Sequence, residues 1–367
     1  MARTTLGNDP AFIAAQVVPT LVRGGTGVGK SSTWAALAGA LERTFVPLLG
    51  STHLPEDFSG YPTPDHKAGV VRMMPTSLWS KTKNGKALVL VDEVTNVPPA
   101  TQAGLLSVIS ERIVGDYVMP ESTIIVGACN PPELCPNAVP LSPAMRARFF
   151  HFDWVIDREH WFSGLRAGCQ WSAPEFPVVP EHWVDLLPQF GSLVEAFLRS
   201  APDCLEKLPT DDETMSFPNP RTWTYLVKCF AAAESCGYDR KHPMFRPLAT
   251  GCVGDAVGGE FLRYWHNLDL ANPEAFLSGD EKYEYEKRPD ANICLLTGLV
   301  KGLRDNTSAD RWLNAAKVFI TIGEHEIESF LMQFRSFWTP VSKGGVRPDG
   351  WSPPKDVMAK LMSMVQS

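Results

Sequence analysis

No uninterrupted apolar run in this chain is long enough to cross a bilayer as a helix. The opening residues, from Met1 to Pro10, lack the apolar core of a secretory signal, so the expected location is the cytoplasm. Positive charge is in deficit: 34 Lys and Arg face 41 Asp and Glu, for a net charge of −7. Nonspecific nucleic-acid binding calls for the opposite sign, and a DNA or RNA partner is disfavoured. The eight cysteines form no C-x-x-C pair. Cys129 with Cys135, and Cys229 with Cys236, are too isolated to argue a metal site, so buried, reduced thiols are expected. His151, His160 and His182 lack the i, i+4 spacing of a helical metal site.

What the chain does have is 367 residues, 44% of them hydrophobic, enough for two or three domains with real cores. Its chemistry is organised around Gly24-Gly25-Thr26-Gly27-Val28-Gly29-Lys30-Ser31, which fits G-x-x-x-x-G-K-[ST], the phosphate-binding loop. Thr20–Arg23 before it reads as a strand, and Ser32–Leu41 after it has the Ala/Leu content of a helix. Glycines let backbone N–H groups converge on a polyphosphate where a Cβ would clash, and the helix N-terminus adds its positive end. This predicts a nucleoside-triphosphate site in which Lys30 reaches the β- and γ-phosphates and Ser31 ligands Mg²⁺. The cradle comprises Gly24 through Ser31, with Ser32 on the first helical turn.

The second landmark is Leu88-Val89-Leu90-Val91-Asp92-Glu93. Four consecutive apolar residues suit a strand buried on both faces of a parallel sheet. The carboxylates then fall at its C-terminal end, where open α/β sheets bind ligands. In that setting Asp92 holds Mg²⁺ and Glu93 polarises the attacking water. Ser122–Asn130 reads as a further buried strand, and the amide of Asn130 can donate to a γ-phosphate and accept from water. Thr44–Leu49 and Phe149–Trp154 read as two more strands. Ala68–Pro75 looks like half of a hairpin, and Val114–Tyr117 like a hairpin turn. Helices are expected from Asp9 (as cap) to Val17 and from Pro98 to Glu111, and the stretch Leu141–Phe150, which carries Arg146 and Arg148, begins with a helix start. Others are expected at Pro180–Arg199, from Asn219 with Arg221 in its first turn, at 256–268 and 291–304, and at 309–320 and 324–337. Trp154, Trp161, Trp171 and Trp183 are expected to pack in a core or at a lid interface. Asp280–Arg288 reads as a solvated helix face or a linker.

Taken as an ordered set over residues 10–230, these pieces resemble the AAA+ ATPases, specifically the MoxR branch. Gly24 to Ser31 matches Walker A, and Val91-Asp92-Glu93-Val94 with Pro98-Pro99 and Thr101-Gln102 matches Walker B and its continuation. Ala128–Pro131 resembles sensor 1, Arg148-Phe149 stands in the place of the arginine finger, and Pro220-Arg221 resembles sensor 2. Pro55–Gly60 with its hairpin is similar to the insert before helix 2, and the hairpin near Val114–Met119 to the insert before sensor 1. Where the family has an Asn-Arg pair after Walker B, this chain has Thr95-Asn96. Arg146 is a second candidate for the finger.

The resemblance implies an α/β fold, a parallel five-stranded AAA+ sheet flanked by helices, followed by an all-α lid and a helical C-terminal extension. The corresponding domains are 1–180, 181–287 and 288–367. It implies an ATPase using ATP and Mg²⁺ in a homo-oligomeric ring, usually a hexamer, whose sites borrow an arginine from the neighbouring subunit. Its activity would remodel or activate a protein client, often one with a von Willebrand factor A domain. The alternatives are a nucleic-acid motor or restriction-type NTPase, and a nucleotide-gated assembly switch with slow turnover.

Overall fold

The computed structural model describes residues 7–135, 139–211, 214–267 and 271–366. Five parallel strands form its central sheet: β1 (Thr20–Arg23), β2 (Thr44–Leu49), β5 (Ala87–Asp92), β8 (Ile124–Cys129) and β9 (Phe150–Asp153). Their spatial order is β2-β5-β8-β1-β9. The remaining strands make two antiparallel hairpins, β3 (Tyr61–Asp65) with β4 (Val70–Met74) and β6 (Ile113–Val114) with β7 (Tyr117–Val118). The five-stranded α/β sheet expected from the sequence is thus present, with helices flanking it and many more in the C-terminal part.

The apolar runs exist because both faces of the sheet are covered. Side chains alternate along a strand, and Leu21, Val89, Val91 and Ile125 enter one core with Leu105, Val108 and Ile109. Val22, Leu88, Leu90 and Val126 enter the opposite core with Ala11, Phe12, Trp34 and Leu37. Helices α1 (Asp9–Ala15) and α2 (Lys30–Ala40) supply the second core, and α4 (Pro99–Glu111) the first, next to the short α3 (Pro55–Ser59). Asp9 is the first residue of α1 rather than its cap. The cap is Asn8, whose amide instead pairs with the backbone of Val155 in both directions at 2.9 Å. The two hairpins abut: the Asp116 N–H donates to Met73 O at 2.8 Å. Gly115 (φ 57°) is required there, since a Cβ would stand 2.2 Å from that same oxygen.

Further helices are α5 (Pro143–Arg146), α6 (Arg158–Arg166), α7 (Leu187–Ser200), α8 (Pro220–Ser235), α9 (Phe245–Val253) and α10 (Asp255–Asn267). The expected end of α10 at Leu268 lies outside the described residues. They are followed by α11 (Pro273–Ser278), α12 (Pro289–Asp305), α13 (Ala309–Gly323), α14 (Ile327–Trp338) and α15 (Lys355–Gln366). The chain divides into two compact units, Met1–Val184 with Asp203–Leu262, and Asp185–Pro202 with Arg263–Ser367. In the second unit Trp312 and Phe319 stack on Phe337 with centroids 4.3 and 4.0 Å apart, at the centre of a helical core. Helix α14 starts at Ile327 rather than at Glu324. The Glu326 carboxylate accepts from Tyr285 Oη and Asn292 Nδ2, both at 2.9 Å, and this tertiary anchoring interrupts the helical run. The charged stretch 280–288 is a linker between α11 and α12. Among the four clustered tryptophans, Trp161 and Trp171 are about half exposed (49% and 46%) rather than packed in a core. Among the described residues, no helix is long and apolar enough to cross a membrane.

Edge strand β9 carries a buried imidazole. His151 donates from Nε2 to the Arg146 carbonyl at 2.7 Å, and burial, aided by the nearby Arg23 and Arg146 charges, pushes its pKa down to about 4. An unfolded histidine takes up its proton near 6.5, so protonation below that value favours the unfolded chain. The stabilisation is complete above about pH 6.5 and is lost as the pH falls toward 4, by about 3 kcal/mol in all. Denaturant midpoints at pH 7.5 and pH 5 should therefore fall further for the parent than for His151→Gln. Equal falls would show that His151 does not govern this step.

Candidate nucleotide site

The strand order brings the motifs together. β8 lies between β5 and β1, with Val91 opposite Gly127 and Arg23 opposite Cys129. The phosphate loop, the Asp92-Glu93 pair and Asn130 therefore leave the C-terminal ends of three adjacent parallel strands, where the strand order reverses and crevices open.

The loop conformation depends on its glycines. Gly27 and Gly29 take left-handed φ of 74° and 86°, and Gly29 caps α2 without offering a side chain to the first-turn N–H groups. A Cβ on Gly24 would lie 2.7 Å from Trp154 Cβ. Trp154 supports the loop from behind by donating from Nε1 to Val28 O at 3.3 Å. It belongs to an aromatic cluster with Phe12, Trp34 and Phe176, whose ring centroids lie 5.0–6.1 Å apart. Thr26 is exposed at the tip, Gly25 and Val28 are half-buried, and Ser32 donates to Gly29 O at 3.0 Å.

Lys30 is 7% exposed. Its ammonium donates to Gly24 O at 2.6 Å, Gly25 O at 2.8 Å and Asn130 Oδ1 at 2.9 Å. Burial pulls its pKa below the ordinary lysine value, and the Asp92 charge opposes that fall. Ser31 Oγ donates to Asp92 Oδ2 at 2.6 Å, so a hydroxyl and a carboxylate oxygen stand together, the hard-oxygen pair that Mg²⁺ prefers alongside phosphate and water. The donor set and the glycine cradle both fit Mg²⁺ and a polyphosphate. The other Asp92 oxygen accepts the Glu93 N–H at 2.9 Å. Glu93 sits at φ 57° and ψ 42°, a conformation costing a non-glycine residue about 1–3 kcal/mol.

Sequence reasoning missed one partner of this carboxylate: Ser51 Oγ donates to Glu93 Oε2 at 2.9 Å. Gly50 makes the approach possible, because a Cβ there would meet Val97 Cγ2 at 2.4 Å and Asp92 O at 3.0 Å. A glycine directly after an apolar strand was the available signal. The support that Trp154 gives the phosphate loop depends on a register that no motif encodes.

The three arginines lie in different surroundings. Arg146 is 1% exposed, and its Nη1 donates to the carbonyls of Thr214 at 2.6 Å and Asp211 at 3.1 Å. Arg148 is half-buried, with Nη1 donating to Ala144 O at 2.6 Å and Nε bonded to Ser110 Oγ. Its pKa lies below the ordinary value, first through burial and then through the like charge of Arg221. Arg221 is exposed on the first turn of α8, one turn before Tyr225, whose hydroxyl donates to Arg148 O at 3.3 Å. Among the described residues these bonds of Arg148 lead away from the Lys30 network. A cavity of about 1010 Å³ beside β1 and β9 is lined by the Arg23–Asp153 ion pair, His151, Lys207 and Phe217, and by none of Lys30, Ser31, Asp92, Glu93 or Asn130.

No curated protein matches the chain. Among solved structures, a putative ATPase from Cytophaga hutchinsonii is 18% identical, covering 63% of this chain and 74% of its own at a TM-score of 0.42. Residues 19–149 match the AAA domain of the dynein-related subfamily, a stretch that takes in the phosphate loop, Asp92, Glu93, Asn130, Arg146 and Arg148 and stops short of Arg221.

Proposed function

We propose that this chain is a Mg²⁺-dependent AAA+ ATPase of the MoxR type, working in the cytoplasm as a hexameric ring to remodel or activate a protein client. The observation that carries the reading is the convergence of Lys30, Ser31, Asp92, Glu93 and Asn130 at three adjacent strand ends. Lys30 binds the β/γ oxygens of the triphosphate, and Ser31 and Asp92 hold the metal, which when bound neutralises phosphate charge. Glu93 orients and deprotonates the attacking water, with Ser51 fixing its carboxylate. Asn130 orients the γ-phosphate end against Lys30. Arg148 serves the neighbouring subunit's site, Arg221 assists at the phosphates, and Arg146 supports the finger segment from its buried position.

The MoxR assignment draws on the two abutting hairpins. Val71 and Val118 are each 63% exposed on them, a surface suited to gripping an apolar segment of a client. A client with a von Willebrand factor A domain is the preferred class. In functional terms the chain divides into a nucleotide-binding domain (1–180), a lid (181–287) and an extension (288–367).

The direct test is a nucleotide titration of Lys30→Ala. Loss of the ammonium should weaken ATP binding by roughly tenfold or more, the order of a charge-assisted contact to phosphate. Unchanged affinity would remove the phosphate-loop assignment and the ATPase reading with it.

A further inference from the structure

The segment leaving β8 folds back over the phosphate loop. Leu134 N–H donates to Pro131 O at 3.0 Å and Cys135 N–H to Pro132 O at 3.1 Å, closing a 3₁₀ turn. A Cβ on Gly25 would meet Leu134 Cδ1 at 3.7 Å, so this turn lies against the loop. Cys135, half-buried, follows directly, and its Sγ accepts from Asn130 Nδ2 at 3.7 Å. The opposite end of the same amide, Oδ1, accepts from Lys30 Nζ at 2.9 Å.

Both ends of the Asn130 amide are thus engaged. With only Oδ1 held, the side chain could swing about χ2, a broad two-fold torsion that sets little by itself. The sulfur at Nδ2 restricts that swing and keeps Oδ1 aimed at the ammonium. We propose that Cys135 is a positioning residue of this site, orienting Asn130 and through it Lys30. The inference rests on the ATPase reading above. A thiol is a weak acceptor, so its contribution is modest and acts where alignment matters, on turnover more than on binding. Its place after the turn that lies against the loop leads to the expectation that bound nucleotide shields it.

The test begins with ATP binding and steady-state hydrolysis by the parent chain. Cys135→Ala, which removes the acceptor, should lower kcat by about three- to tenfold, the order of one hydrogen bond, and leave KM within about twofold. Cys135→Ser, which restores an acceptor, should recover most of the loss. On the parent protein, Mg²⁺-ATP should slow N-ethylmaleimide addition to Cys135 severalfold while exposed Cys169 reacts at an unchanged rate, both read by peptide mass spectrometry. That measurement needs no variant and holds even if Cys135→Ala folds poorly. Parental kcat in Cys135→Ala, equal losses in the Ala and Ser variants, or labelling of Cys135 indifferent to nucleotide would each overturn the inference while leaving the ATPase reading standing. A parent chain that neither binds nor hydrolyses ATP would overturn both.

Discussion

Arg148→Ala should bind ATP nearly as the parent does and hydrolyse it about a thousandfold more slowly, since a trans arginine contributes on the order of 10³–10⁵ in rate where it has been removed. The guanidinium is half-buried and held by Ala144 and Ser110, bonds that pre-organise it without tying it to its own Lys30 network. Its neighbour Arg221 depresses its pKa further, and an incoming anionic phosphate would relieve that repulsion between like charges. The decisive version mixes two dead proteins. On the proposed ring reading, Lys30→Ala keeps its finger and lacks a working pocket, whereas Arg148→Ala keeps its pocket and lacks the finger. In a mixed ring some sites pair one chain's pocket with the other's arginine, so phosphate release should rise above both baselines and peak at intermediate ratios. Co-assembly without any rescue would exclude Arg148 as the finger. Repeating the series with Arg146→Ala separates the candidates: its guanidinium is committed to the Asp211 and Thr214 carbonyls, so its loss should lower the melting temperature and show no mixing rescue.

Glu93→Gln should bind ATP and retain it, with turnover reduced about 100-fold or more, the usual range for loss of a general base. Asp92 and Ser31 are untouched, so the oxygens proposed to hold the metal stay in place. The amide keeps the shape of the side chain and can still pair with Ser51, but it no longer accepts a proton from water. Glutamine carries the same Cβ and stem as glutamate, so the cost of the left-handed backbone at Glu93 should be the same in both chains, which isolates the chemistry from the fold. Single-turnover assays with labelled ATP would read this as a persistent bound triphosphate. A parental hydrolysis rate would assign the base to another group.

Much of this site is legible in the linear chain because its elements are local. A glycine loop between a strand and a helix fixes its own geometry, and Leu88–Val91, apolar throughout, suits a strand covered on both sides. The helix at Pro220 is likewise readable, since Asn219 caps it by accepting from the Arg221 and Thr222 N–H groups at 3.0 and 3.2 Å. The start of α14 was not readable, because Glu326 is anchored by Tyr285 and Asn292, residues set by the packing of another helix and a linker.

By itself, then, the sequence determined the phosphate loop, the acidic strand end, the amide after β8 and the five strand segments, since each depends on residues within a few positions of one another. The tertiary structure alone decided which distant groups meet at the site. Ser51 reaches Glu93 because β2 and β5 are neighbours and Gly50 lets them close. Trp154 backs the loop because β9 lies beside β1. Arg146 and Arg148, two residues apart, part company because one side chain turns inward onto the carbonyls at 211 and 214 and the other does not. Such choices depend on strand order and on the direction of single side chains, and these are set by the packing of segments far apart in the chain.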